Sequence, residues 1–158
     1  MAIREHDAML LDQAGFVDDP AAAAAARLDR DRRMCVLVSR SLSVTEAAER
    51  LGVSSPRIRQ RLTDGTLWAF SSGAGRLLLP PAQFTATGAV PHLEKVIPLL
   101  ATDLHPLTVQ ALLTQPQPTL TVEGRPTSIA RWLTGSAGTG PDIEQAADVI
   151  TAADWLST

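Results

Sequence analysis

Apolar residues along this chain fall into short runs with two different periods, and the change of period marks where helices give way to strands. Between Leu42 and Gln83, Ala47, Ala48 and Leu51 form one stripe at helical spacing, and Ile58 and Leu62 repeat it four residues apart. Leu67-Trp68-Ala69-Phe70 and Arg76-Leu77-Leu78-Leu79 then flank the turn-rich Ser71-Ser72-Gly73-Ala74-Gly75, which predicts two short strands around a loop. Pro80-Pro81 ends the second strand.

The first helical stripe starts where Ser43 or Thr45 can cap an N-terminus, with Glu46 and Glu49 near the positive end of the helix dipole. Gly52 follows as the residue able to take φ > 0, and Val53 plugs the corner. Ser54 or Ser55 caps the second helix, with Pro56 in its first turn. Two crossing helices need a small residue, a left-handed turn and an apolar anchor, and Ala48, Gly52 and Ile58 supply all three. The segment therefore reads as a helix-turn-helix followed by a β-wing. Its second helix leaves Arg57, Arg59, Gln60 and Arg61 on the exposed surface. Together with Ser54, Ser55 and Arg76 of the wing, these are the candidate contacts to double-stranded DNA.

The flanks read differently. A short helix is expected over Ile3 to Ala14, and a longer one after Asp18-Asp19-Pro20, extended by Ala21 to Ala26. Its apolar positions are Leu28, Met34, Cys35, Val36 and Val38, expected to pack against the winged unit, with Cys35 a buried small hydrophobe. Arg27, Arg30, Arg32 and Arg33 alternate with Asp29 and Asp31 as a solvated, salt-bridged face.

From Thr85 onward Gly88 and Pro91 mark a linker, and a helix-rich tail follows. Its expected amphipathic stretches are Leu93 to Leu100, Pro106 to Leu113 beginning near Thr102 or His105, Pro126 to Leu133, and Ile143 to Trp155. Gly135 is expected to end the third in a left-handed cap. The predicted architecture is mainly α, a winged helix-turn-helix with a small helical C-terminal domain. The expected segments are 1–39 (N-terminal helical), 40–86 (winged) and 87–158 (helical interaction domain).

Charge sharpens this division. Residues 40–84 hold six arginines against three carboxylates, a balance of +3, whereas residues 1–39 carry −2 and residues 85–158 carry −4. A positive field confined to one motif of a chain with net charge −3 suits contact with a polyanion. The 45% hydrophobic content suffices for a buried core. No apolar run reaches membrane-spanning length and the N-terminus lacks the hydrophobic centre of a secretory signal, so the expected location is the cytoplasm.

Catalytic chemistry is not expected. The single cysteine supports neither a disulfide framework nor a zinc site. His6, His92 and His105 lack metal-ligand or triad spacing, and Asp103 near His105 reads as a helix-start signal. The run Gly135 to Pro141 places proline where a phosphate loop needs lysine. No catalytic residue, metal or cofactor is assigned.

Val44, Glu46, Ala47, Ala48, Leu51, Gly52, Val53, Ser54, Ile58, Gly65 and Leu67 match the pattern of excisionase and MerR-type winged helix-turn-helix proteins, which this segment resembles. In the tail, Leu112, Pro116, Leu120, Gly124, Pro126, Trp132, Leu133, Gly135, Ile143, Ala146, Ala147 and Val149 follow the pattern of the toxin-binding domain of Xre/ParS-type antitoxins, a second resemblance covering about a quarter of the chain. Together the resemblances imply an antitoxin of a type II toxin–antitoxin system that neutralises a cognate toxin and represses its own promoter as a homodimer or higher hetero-oligomer. A stand-alone excisionase-like or MerR-like regulator and a DNA-architectural factor are the alternatives. Trp132 reads as a core anchor, which leaves Arg131, Thr134, Ser136, Thr139 and the terminal Trp155 as candidate partner contacts.

Overall fold

The fold is that of a computed structural model, which describes residues 19–136 and 138–156, the last three of these by backbone alone. The short helix expected over Ile3 to Ala14, His6 and the side chain of Trp155 lie outside the described residues. The chain is mainly helical with small antiparallel sheets and divides into two compact units, residues 1–33 and 34–158. Among the described residues no helix is long and apolar enough to cross a membrane.

In the first unit, helix α1 (Pro20–Arg40) begins where the Asp19 carboxylate accepts hydrogen bonds from the Ala21 and Ala22 amides at 3.1 and 3.2 Å. Residues 21–33 are all exposed, Leu28 at 52%. Alanine propensity and the exposed Asp29–Arg33 pair at 2.9 Å support this stretch, the pair contributing a few tenths of a kcal/mol. In the second unit the same helix contributes Leu37, buried, and Met34, half-buried. The expectation of a buried Cys35 is corrected: Cys35, Val36 and Val38 are exposed, because the helix buries only the stripe through Met34 and Leu37. Ser41 closes the helix by donating to the Leu37 carbonyl at 2.7 Å.

Strand β1 (Leu42–Ser43) leads directly into α2 (Val44–Leu51), where Ser43 and Glu46 form a reciprocal capping box. Gly52 ends α2 in the left-handed region at φ 67°, and Val53 donates back to the Ala48 carbonyl at 3.0 Å. Helix α3 (Ser55–Thr63) is capped by Ser54. Strands β2 (Phe70–Ser71) and β3 (Leu77–Leu79) complete a three-stranded antiparallel sheet of order β1-β3-β2, pairing Leu42 with Leu79 and Phe70 with Leu78.

Alternation along β3 makes this sheet a wall between two cores. Leu79 faces the cluster formed by Leu42, Val44, Ala47, Ala48, Ile58 and Leu67. Leu78 faces the larger one, which joins Leu37, Trp68 and Phe70 to Leu93, Val96, Val109, Leu120, Leu133 and Ile150. The boundary expected at residue 86 thus falls inside a single unit. The expected linker is a tight return, with Thr85 donating to the Gly88 carbonyl at 2.8 Å and Val90 to that of Gln83 at 2.9 Å.

The tail departs from the expected helices in several places. Leu93 to Leu100 forms two 3-10 turns, Leu93–Lys95 and Ile97–Leu99, since Pro98 has no amide to continue a helix. After α4 (Pro106–Thr114), which His105 caps, comes a hairpin, β4 (Gln117–Val122) and β5 (Arg125–Thr127). Its turn places both Glu123 and Gly124 at positive φ, 52° and 76°. Pro126 consequently lies in β5, and Ser128 caps α5 (Ile129–Gly135). The left-handed glycine is Gly138 at φ 75° and not Gly135, and α6 (Gly140–Leu156) starts just after it.

Gly138 also lies against the imidazole of His92, and an added Cβ would overlap the ring. Substitution Gly138→Ala should lower stability by about 1 kcal/mol from the backbone conformation alone, plus the displacement of His92. A denaturant midpoint that falls with unchanged slope is the expected reading.

Candidate nucleic-acid interface

The positively charged surface is built on α3. Its apolar anchors, Ile58 and Leu62, point toward the core; Ile58 is fully buried and Leu62 half-buried. Each helical residue advances about 100°, so Gln60 stands opposite that anchored face, with Arg59 and Arg61 about 100° to either side of it. Arg57, Arg59 and Gln60 are exposed, and Arg61 is half-buried. No carboxylate among the described residues lies within ion-pairing distance of Arg57, Arg59 or Arg61.

Local bonds hold this face. Ser54 is exposed and its hydroxyl accepts the Arg57 amide at 3.3 Å, while Ser55, half-buried, opens the helix. The Arg57 guanidinium donates to Oε1 of Gln60 at 2.9 Å. Arg57 and Arg61 also border a cavity of about 290 Å³ lined by Asp64, Thr66 and Leu67 and by Ala89, Val90, Leu93 and Glu94 of the return loop and the turn after it.

The β2–β3 hairpin supplies the second part. Ser72 donates to the Arg76 carbonyl at 2.8 Å, Gly75 takes φ 75°, and the exposed Arg76 side chain leaves the base of this tight tip. Arg50 behaves differently from the other arginines of the basic segment. It donates to the Thr85 carbonyl at 2.9 Å and so anchors the return loop.

Beneath the hairpin lies a residue that the sequence reading missed. Gln83 is fully buried; its Oε1 accepts the Trp68 amide and its Nε2 donates to the Trp68 carbonyl, both at 2.7 Å. This clamp fixes the chain between α3 and β2. Gln110 adds a bond from α4, accepting the Ala82 amide at 3.1 Å. Nothing in a Pro-Ala-Gln tripeptide distinguishes such a glutamine from a surface one.

The candidate partner residues of the tail are only partly brought together. Arg131 and Ser136 border a cleft of about 320 Å³ with Val122, Thr127, Trp132, Gly135 and Asp142. Within it Ser136 donates to the Asp142 carboxylate and accepts the Gly138 amide, each at 2.9 Å, and the Trp132 indole donates to the Asp142 carbonyl at 2.9 Å. Thr134 turns back onto its own helix, donating to the Ala130 carbonyl at 2.7 Å, and Thr139 is exposed at the entry to α6. The two described histidines have local roles: His92 packs on Gly138, and Nδ1 of His105 accepts the Leu107 amide at 3.2 Å.

No protein-family model matches the chain, and no curated protein matches it. Among solved structures the chain is similar to the one described as the NMR structure of Rv2175c, with 24% identity over 75% of this chain and 81% of that one, at a TM-score of 0.44.

Proposed function

We propose that the protein is a winged helix-turn-helix regulator that binds double-stranded DNA, with α3 in the major groove, the β2–β3 hairpin as the wing, and Arg76 at the phosphate backbone. The carrying observation is the outward face of α3, where the exposed Arg57, Arg59 and Gln60 and the half-buried Arg61 present hydrogen-bond donors with no carboxylate within ion-pairing distance among the described residues. The confinement of positive charge to residues 40–84, in a chain of net charge −3, supports the same reading. One such module grips DNA weakly, so the proposal includes dimerisation over two half-sites about one helical turn apart.

The test is binding of the full chain to a labelled duplex from its own promoter region across a salt series. The expected log–log slope is about −0.9 for each neutralised phosphate. A flat slope, or no binding at low salt, would refute the reading.

The antitoxin role is the second reading. It is favoured by the cleft at Arg131 and Ser136, whose rim carries Val122 with 52% of its surface exposed. Co-purification with the product of the neighbouring gene tests it: a stable complex that is lost when the exposed rim residues Val122 and Arg131 are changed to glutamate in a chain that stays folded supports a toxin-binding tail, and a complex that survives both changes refutes it.

A further inference from the structure

We infer that Arg57 and Gln60 act as one composite reader of guanine in the major groove, while Arg59 and Arg61 hold the phosphates on either side. This rests on the proposed DNA-binding reading and specifies what that site recognises.

Guanidinium is a donor only, so the Gln60 atom that Arg57 meets at 2.9 Å must be the amide oxygen. The usual pairing of glutamine with adenine requires that oxygen, because it must accept from adenine N6 while the amide nitrogen donates to N7. Here Arg57 takes one of its two lone pairs and sets guanidinium N–H donors beside it, so an adenine N6 could reach the remaining lone pair only with its own donor against those of Arg57. What remains outward is the Gln60 amide nitrogen beside the other N–H groups of Arg57, an array of donors. Guanine alone among the bases offers two adjacent acceptors in the major groove, N7 and O6. An adenine at that step would bring its N6 donor against donors, and a cytosine its N4.

Position on the helix supports the division of labour. Gln60 faces directly away from the buried Ile58, with Arg57 one turn before it, whereas Arg59 and Arg61 lie on the two flanks. A helix seated in the groove brings such flanks toward the two phosphate backbones. Two carboxylates lie on one side of this face: Asp64, the C-terminal cap of α3, and Glu94 line the cavity that Arg57 and Arg61 border, and neither is within ion-pairing distance of those arginines.

The experiment is a selection with the full chain from duplexes carrying a randomised core of about two helical turns, followed by base-analogue substitution in the winning site. Guanine is expected at the step protected by Gln60. Inosine, which keeps N7 and O6, should bind within about twofold, and 7-deazaguanine or adenine should cost about ten- to hundredfold. Arg57→Ala frees the Gln60 oxygen, so its selected base should change from guanine to adenine. Gln60→Ala leaves Arg57 able to reach guanine N7 and O6 unheld, so the guanine preference should weaken without changing to another base, while the salt slope is kept. A wild-type site with adenine or no preference there, a 7-deazaguanine site bound as well as guanine, or an Arg57→Ala variant that still selects guanine would overturn the composite reader and leave DNA binding intact. Failure to bind any duplex in the pool would overturn both.

Discussion

Replacing Gln83 with leucine is expected to cost about 2 to 6 kcal/mol of stability, because it leaves both the amide and the carbonyl of Trp68 buried without the partner each has now. The side chain has no exposed surface, so water does not readily replace it. For a chain of this size the melting temperature should fall by roughly 5 to 20 °C, readable by circular dichroism. Leucine is close in volume and introduces no polar atom, which isolates the hydrogen bonds from packing. Gln83→Glu sharpens the test: its carboxylate can still accept the Trp68 amide but opposes the carbonyl with no donor. A loss comparable to that of leucine is therefore expected. A shift below about 2 °C for Gln83→Leu would show that the clamp does not hold this joint.

If α3 binds DNA as proposed, the double substitution Arg59→Ala and Arg61→Ala is expected to weaken that binding by about ten- to hundredfold per arginine, with each removal lowering the salt slope by about one. Relative preference among duplex sequences should stay as it is, since phosphate contacts carry no sequence information. Folding should be spared. Arg59 is exposed, and the contribution of Arg61 to the turn after α3 is its backbone carbonyl, which accepts the Thr66 amide at 3.0 Å and persists in alanine. Unchanged slope in a folded double variant would remove both residues from the interface.

Much of the segment from β1 to α3 was legible because its determinants are local. A serine or threonine cap, a glycine able to take positive φ and apolar residues four apart each satisfy a demand that arises within one or two turns of chain, and only the structure shows that Ser43 and Glu46 close a capping box. The same holds for part of the cationic face of α3, since Ile58 and Leu62 define the inward side and place Gln60 opposite them, with Arg57 and Arg59 exposed and Arg61 half-buried beside it. The β4–β5 hairpin escaped notice because Gln117 to Thr127 holds Pro118 and Pro126, residues that argue against strands. Its turn uses Glu123, not an asparagine or aspartate, at positive φ.

Sequence by itself determined that two helices meet at Gly52, that Arg57, Arg59 and Gln60 of α3 face outward, and where positive charge collects; it left two candidates for each cap and expected Arg61, which is half-buried, to be exposed. Caps, propensity and periodicity act over a few residues and need no distant partner. Tertiary structure alone decided that Leu78 and Leu79 serve different cores, that Gln83 belongs to Trp68 fifteen residues away, that Arg50 anchors a loop, and that Cys35 is exposed. Burial and hydrogen-bond partnership are properties of surfaces brought together from distant parts of the chain, and a glutamine or cysteine has the same local signature whether or not another element comes to cover it.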